Sequence, residues 1–167
     1  LTLFIVHILL GANVCAKQHV NFEQWRKSIT AANFSGVVFI TKGSEILLND
    51  AFGVANREEK TPFSDNTIFD IGSLTKQFTA TAILKLQETN KLSVEDPITK
   101  FFDNVPSNKK GITIHHLLTH TAGFRANRRG AGSLYDVVTR KKLVKSAFKS
   151  KLLSVPGEKY SYSNIGY

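Results

Sequence analysis

Residues 71–80 read IGSLTKQFTA. Lys76 follows Ser73 by three positions, and from Ser73 onward the pattern turns helical. Leu74, Phe78, Ala82 and Leu86 recur every four residues as an apolar stripe, with Ser73, Lys76, Ala80 and Ile83 on a neighbouring one. Two accounts fit this start. Ser73 can cap the helix, leaving Lys76 as a surface lysine. Alternatively the two form a nucleophile and its base, because residues i and i+3 are neighbours on one helical face. A serine hydroxyl needs such a base to take its proton, and a lysine can serve if burial or nearby charge lowers its pKa. A helix start adds a partial positive charge where an oxyanion develops. Taken alone, S-x-x-K occurs by chance in many proteins, and the cap is the default.

Working outward, Asn21 is placed to cap a helix through residues 22–32, FEQWRKSITAA, with Phe22, Trp25 and Ile29 on one face. Val37–Ile40 and Ile46–Leu48 are β-rich runs around Lys42-Gly43-Ser44, which predicts a hairpin. Residues 57–67, REEKTPFSDNT, read as a polar loop. Beyond the central helix, a short helix is expected from Pro97 with Asp96 as cap. Another is expected from Ile114, capped by Thr113 and ending before Gly123. Residues 132–153 support one or two more. Helix, hairpin and then a mostly helical region predict an α+β fold.

The length suits one domain with a sizeable core. A hydrophobic content of 42% against 21% charged residues argues against disorder. The opening LTLFIVHILLGANVCAKQ is the most apolar stretch, too short to span a bilayer comfortably. It resembles the apolar region of a secretory signal, with Val14-Cys15-Ala16 as a small-x-small cleavage pattern before Lys17. Residues 1–16 are therefore expected to be a signal-peptide remnant. Because position 1 is leucine and the sequence holds no methionine, the chain is expected to be truncated at its start. Residues 17–167 are expected to be the N-terminal part of a single domain, exported to the periplasm or secreted. Cys15 is the one cysteine, so cleavage after Ala16 leaves no disulfide and no cysteine-based metal site.

The net charge of +9 owes much to Arg125, Arg128, Arg129, Arg140, Lys141, Lys142, Lys145, Lys149 and Lys151. These could favour contact with an anionic cell envelope. They lack the interleaved aromatics of a nucleic-acid site, so no nucleic-acid partner is expected, and a solvated helical face is the plainer account.

Two further stretches could carry chemistry. Residues 156–167, PGEKYSYSNIGY, contain Tyr162-Ser163-Asn164. A tyrosine hydroxyl can shuttle a proton, and an asparagine two residues on can offer a donor and an acceptor to a substrate amide. A polar loop whose tyrosine rings pack on the core is the plain alternative. Residues 112–124, ITIHHLLTHTAGF, bring His115, His116 and His120 close in sequence. No glutamate completes an H-E-x-x-H pattern, so no metal is expected; no G-x-S-x-G precedes a helix, so neither is a Ser-His-Asp triad. The stretch reads as a structural turn, with Gly123 permitting an unusual backbone angle.

Together, residues 67–102, residues 112–124 and residues 156–167 resemble the serine β-lactamase-related, penicillin-binding-protein-like family. That group contains class C β-lactamases, D-alanyl-D-alanine carboxypeptidases and related esterases. Order, spacing and flanking residues match from about Phe34 to Tyr167. The resemblance implies a β-lactamase/transpeptidase-like fold, an antiparallel sheet flanked by helices plus a mostly helical region. It implies that Ser73 is the acylated nucleophile, Lys76 its partner, Tyr162 the proton shuttle of a Y-x-N motif and Asn164 the substrate-orienting residue. The backbone N–H of Ser73 would supply half of an oxyanion hole, and His120 and Gly123 match a signature that is mainly structural.

The implied function is an exported serine hydrolase that forms an acyl-enzyme on β-lactams, D-Ala-D-Ala peptides or small esters, with no metal or organic cofactor. A non-catalytic cell-wall peptide binding or sensor domain is the rival. The family's third motif, Lys/His-x-Gly on a downstream strand, would lie beyond Tyr167, as would the C-terminal sheet strands. The chain is thus expected to be truncated at both ends and, by itself, inactive and poorly folded.

Overall fold

The computed structural model describes residues 21–127 and 138–167. The signal-like opening with Cys15, the arginines at 128 and 129 and the first part of the expected helices at 132–153 lie outside the described residues. The chain divides into two compact units, residues 1–71 and 72–167.

In the first unit, α1 (Phe22–Ala31) begins as expected: the Asn21 side chain accepts from the Gln24 N–H at 3.1 Å. Phe22, Trp25 and Ile29 are half-buried along one face, and Trp25 meets the Phe52 ring edge-on at 6.0 Å. Asn33, at φ 52°, ends the helix. Its N–H and that of Phe34 return to the carbonyls of Thr30 and Ile29, at 3.0 and 3.4 Å. This Schellman closure satisfies carbonyls that the helix leaves free.

Strands β1 (Gly36–Lys42) and β2 (Glu45–Phe52) pair antiparallel through the Gly43-Ser44 turn. Gly43 supplies φ 61° there. The register shifts between Ile40 and Thr41, so Leu47 is an extra residue in β2, a bulge. Leu48 is the buried hydrophobic residue of this sheet.

The polar loop is less irregular than expected. Strands β3 (Val54–Asn56) and β4 (Thr61–Pro62) pair antiparallel. The Asn56 side chain accepts from the Glu58 and Glu59 N–H groups at 3.0 and 3.2 Å, and this side-chain turn reverses the chain.

In the second unit, a 3-10 turn at Gly72–Leu74 leads into α2 (Thr75–Glu88). Leu74 takes the cap position and makes no side-chain cap bond, so Ser73 is not the cap. The apolar stripe is present but none of its residues is buried; Phe78 is 64% exposed. Asn90, at φ 54°, closes α2 as Asn33 closes α1, with its N–H and that of Lys91 bonded to Gln87 and Leu86 carbonyls.

The helix expected from Pro97 is only a 3-10 turn, Ile98–Lys100, with Pro97 itself at the cap position. Pro97 pairs with Thr113 in an isolated antiparallel bridge, and the Ile98 N–H bonds to the Ile112 carbonyl at 2.9 Å. Long-range pairing thus replaces capping. Asp96 accepts instead from Lys100 (2.7 Å) and from the Ser93 N–H (2.9 Å). Those bonds, the lysine's foremost, hold its carboxyl below the usual range.

Helix α3 (Ile114–Leu118) is capped by Thr113 as expected. Thr113 Oγ1 accepts from the His116 N–H, and His116 Nδ1 accepts from the Thr113 N–H, both at 3.2 Å. A histidine therefore completes this capping box. Thr139 caps α4 (Arg140–Lys149), whose lysines at 141, 142, 145 and 149 are exposed while Phe148 packs edge-on against Phe102 at 6.0 Å. Ile98, Val105, Ile112, Ala122 and Phe124 form the core. Leu117, Phe148, Leu152 and Ile165 pack on it, which ties α3, α4 and the C-terminal segment to one centre. No helix among the described residues is long and apolar enough to cross a membrane.

Candidate active site

Ser73 lies in the 3-10 turn that leads into α2 and Lys76 in the first turn of α2, so their spacing is fixed by helical geometry. Lys76 Nζ donates to Ser73 Oγ at 3.1 Å. The C-terminal segment brings Tyr162 Oη to 2.6 Å from the same oxygen. Lys76 also donates to Asn164 Oδ1 at 2.8 Å, and Nζ lies 5.2 Å from the centroid of the Tyr162 ring and 5.6 Å from that of Tyr167. Of the four residues predicted from sequence, Lys76 and Tyr162 thus meet at the Ser73 hydroxyl, and Asn164 joins them through Lys76. Tyr162 is 37% exposed and Ser73 is exposed, so the cluster is open to solvent.

Its electrostatics follow from the lysine. The hydrogen bond with Lys76, then that with Ser73, hold the Tyr162 hydroxyl below its ordinary pKa of 10.0, because both favour the phenolate. Asn164 is oriented without ambiguity. A lysine can only donate, so Oδ1 must face Lys76, and Nδ2 then donates to Asn127 Oδ1 at 2.8 Å.

The arm carrying Tyr162 and Asn164 is held along residues 120–126. Leu153 and Gly157 N–H groups bond to the carbonyls of Gly123 (2.7 Å) and Thr121 (2.9 Å). The Ser161 N–H bonds to the His120 carbonyl, and the Asn164 N–H to that of Ala126, each at 2.8 Å. Gly123 is required by this close approach: its φ is 80°, and a Cβ there would stand 2.4 Å from the Ser154 carbonyl oxygen.

Three contributors were missed or undervalued in the sequence. Ser163 is 3% exposed, and its Oγ donates to the Arg125 carbonyl (2.8 Å) while accepting from the N–H groups of Ile165 (3.1 Å) and Gly166 (3.2 Å). Asn127 fixes the Asn164 amide. His120 packs its ring against Tyr162 and Tyr167, at centroid distances of 4.6 and 5.1 Å. Burial, and then the Lys76 charge, hold its pKa below 6.5. Among the described residues no three His, Cys, Asp or Glu side chains gather to hold a metal ion.

The family model described as Beta-lactamase matches residues 23–167. The chain belongs to the Beta-lactamase family. It is similar to penicillin-binding protein 4* of Bacillus subtilis (strain 168), with 34% identity over 143 residues, covering 80% of this chain and 30% of that protein. It is similar also to esterase EstB of Burkholderia gladioli, with 36% identity over 106 residues, covering 60% of this chain and 27% of the esterase. Among solved structures, the octameric penicillin-binding protein homologue from Pyrococcus abyssi matches with a TM-score of 0.72 and 31% identity, over 87% of this chain and 36% of that one. The chain spans less than a third of the length of these two curated relatives. The fold is that of the β-lactamase and penicillin-binding proteins, in agreement with the α+β expectation, and the family is one of serine hydrolases.

Proposed function

We propose that the protein carrying this chain is an exported serine hydrolase that acylates on Ser73. The carrying observation is the pair of contacts to Ser73 Oγ, from Tyr162 Oη at 2.6 Å and Lys76 Nζ at 3.1 Å. In this reading the Ser73 O–H donates to Tyr162, whose lowered pKa fits it to take the proton as Oγ attacks a substrate carbonyl carbon. Lys76 acts as an ammonium. It donates to Ser73 Oγ and Asn164 Oδ1, and its charge stabilises the phenolate. The oxyanion turns toward the backbone N–H of Ser73. Tyr162 then passes the proton to the leaving amine or alcohol as the bond from carbonyl carbon to leaving group breaks.

Deacylation repeats the cycle with water: the water oxygen bonds to the acyl carbon as its proton goes to Tyr162, the bond from that carbon to Oγ breaks, and Oγ takes the proton back from Tyr162. Asn164, whose Oδ1 has a second lone pair and whose Nδ2 has a second hydrogen, adds a substrate amide to its Lys76 and Asn127 partners. The substrate classes are β-lactams, D-Ala-D-Ala peptide ends and small esters. A relative named as a penicillin-binding protein and another named as an esterase support that range.

The deciding experiment is covalent labelling of the protein that carries this chain by a penicillin or fluorophosphonate probe. Ser73→Ala is expected to abolish labelling, and undiminished labelling of that variant overturns the assignment. Hydrolysis of a chromogenic cephalosporin, a D-Ala-D-Ala peptide and a short ester then separates the substrate classes.

A further inference from the structure

We propose that His120 is a positioning residue that pins the Tyr162–Asn164 arm against Ser73, and that it does so only while its imidazole is neutral. The inference rests on the roles proposed above for Ser73 and Tyr162.

His120 occupies the position after the cap of α3, at φ 58°. Its N–H and that of Thr121 bond to the Leu117 (3.2 Å) and His116 (2.9 Å) carbonyls, a third Schellman closure. The same position after α1 and α2 holds Asn33 and Asn90. Asparagine tolerates this left-handed conformation well, so the backbone alone has no need of an imidazole here.

What the imidazole adds is a set of bonds to the arm. Nδ1 accepts from the Ser163 N–H at 3.2 Å, while the His120 carbonyl accepts from the Ser161 N–H at 2.8 Å. The residues on either side of Tyr162 are thus tied to one histidine, whose ring also packs on the Tyr162 ring at 4.6 Å, inclined 37°. Swinging Tyr162 away from Ser73 must disturb this whole set.

Because Nδ1 accepts, the proton of the neutral ring sits on Nε2. A second proton, arriving at Nδ1, turns the acceptor into a donor that faces the N–H of a serine only 3% exposed. The titratable groups against the ring are Tyr160, Tyr162 and Tyr167 from the C-terminal segment and Lys76 from α2. Burial foremost, and then the lysine's charge, oppose the imidazolium and outweigh a smaller opposite effect of the Ser163 backbone. A histidine with a lowered folded pKa contributes its stabilisation in full above 6.5, and loses it as pH falls through the lower folded value.

The test compares wild type, His120→Asn and His120→Phe in the protein that carries this chain, reading the second-order rate of fluorophosphonate labelling from about pH 4 to pH 9. Asparagine keeps the left-handed backbone and places Oδ1 where it can accept from Ser163, but does not titrate. Phenylalanine keeps a ring to pack on Tyr162 but has no acceptor. For wild type, the logarithm of rate is expected to steepen by one further proton below pH 6.5. His120→Asn is expected to lose that steepening, and His120→Phe to lose it as well while labelling roughly tenfold or more slowly than wild type above pH 6.5, a gap that narrows as wild type protonates. An unaltered steepening in His120→Asn overturns the proposal.

Nitrogen NMR of wild type gives a reading that needs no variant to fold. A neutral Nε2–H tautomer titrating below 6.5 is expected; an Nδ1–H tautomer, or a pKa at or above 6.5, overturns the proposal. Ser73→Ala runs in parallel. If it still labels, the assignment of the nucleophile fails. If labelling depends on Ser73 while His120→Asn behaves as wild type, only the positioning role fails.

Discussion

Ser163→Ala tests the arm without touching the reacting groups. The hydroxyl is buried, donates once and accepts twice, and alanine deletes all three bonds together. A typical buried hydrogen bond contributes about 1 kcal/mol net, so three give about 3 kcal/mol. Two corrections act in opposite directions. Ile165 and Gly166 are only half-buried, so water can reach their freed N–H groups and reduce the loss. The Arg125 carbonyl faces the cavity left by the hydroxyl, which increases it. The expected cost is about 2–4 kcal/mol, read as a lower urea midpoint at unchanged slope. Tyr162 and Asn164 flank the lost anchor, and misplacement of about 1 Å can cost about a hundredfold in rate. Probe labelling of Ser73 should therefore fall by about 10- to 100-fold. A stability within about 0.5 kcal/mol of wild type, together with full labelling, would show that the Ser163 bonds do not organise the arm.

Tyr162→Phe keeps the ring on His120 and removes only Oη, so labelling should fall by about 10²- to 10⁴-fold while the urea midpoint barely moves. Unchanged labelling would remove Tyr162 from proton transfer. Because Tyr162 titrates below 10.0, the limb it controls in wild type should lie below that pH and vanish in Tyr162→Phe. Gly123→Ala and Gly43→Ala form a matched pair. Both glycines have positive φ, but a Cβ at 123 would meet the Ser154 carbonyl whereas one at 43 meets open space. Losses of about 2–4 and about 1 kcal/mol are expected, and equal losses in urea melts would refute the close-approach argument.

What the sequence made legible was local. Asn21 and Thr113 cap helices as expected because a side-chain oxygen and the amide it bonds lie three residues apart. The Gly43-Ser44 turn is similar. Asp96 failed because the Ile98 amide is taken by Ile112, fourteen positions on in the chain, which no capping rule can register. Ser73 is the sharper case. Its spacing to Lys76 is helical and visible, yet what separates a cap from a nucleophile is Tyr162 Oη, 89 residues away. The family resemblance brought those segments together; periodicity could not.

Ser163 explains how the arm works. Tyr162 reaches Ser73 and Asn164 reaches Lys76, while the residue between them is turned inward and buried. An inward serine in such a place has to satisfy its hydroxyl, and it does so by bonding the chain on both sides: Arg125 before it, Ile165 and Gly166 after it. The same inward face presents the Ser163 N–H to His120. A Y-S-N triplet is therefore two site residues separated by their own anchor. The precision of the 2.6 Å contact at Ser73 depends on that buried hydroxyl and on the histidine it faces as much as on the tyrosine that makes it.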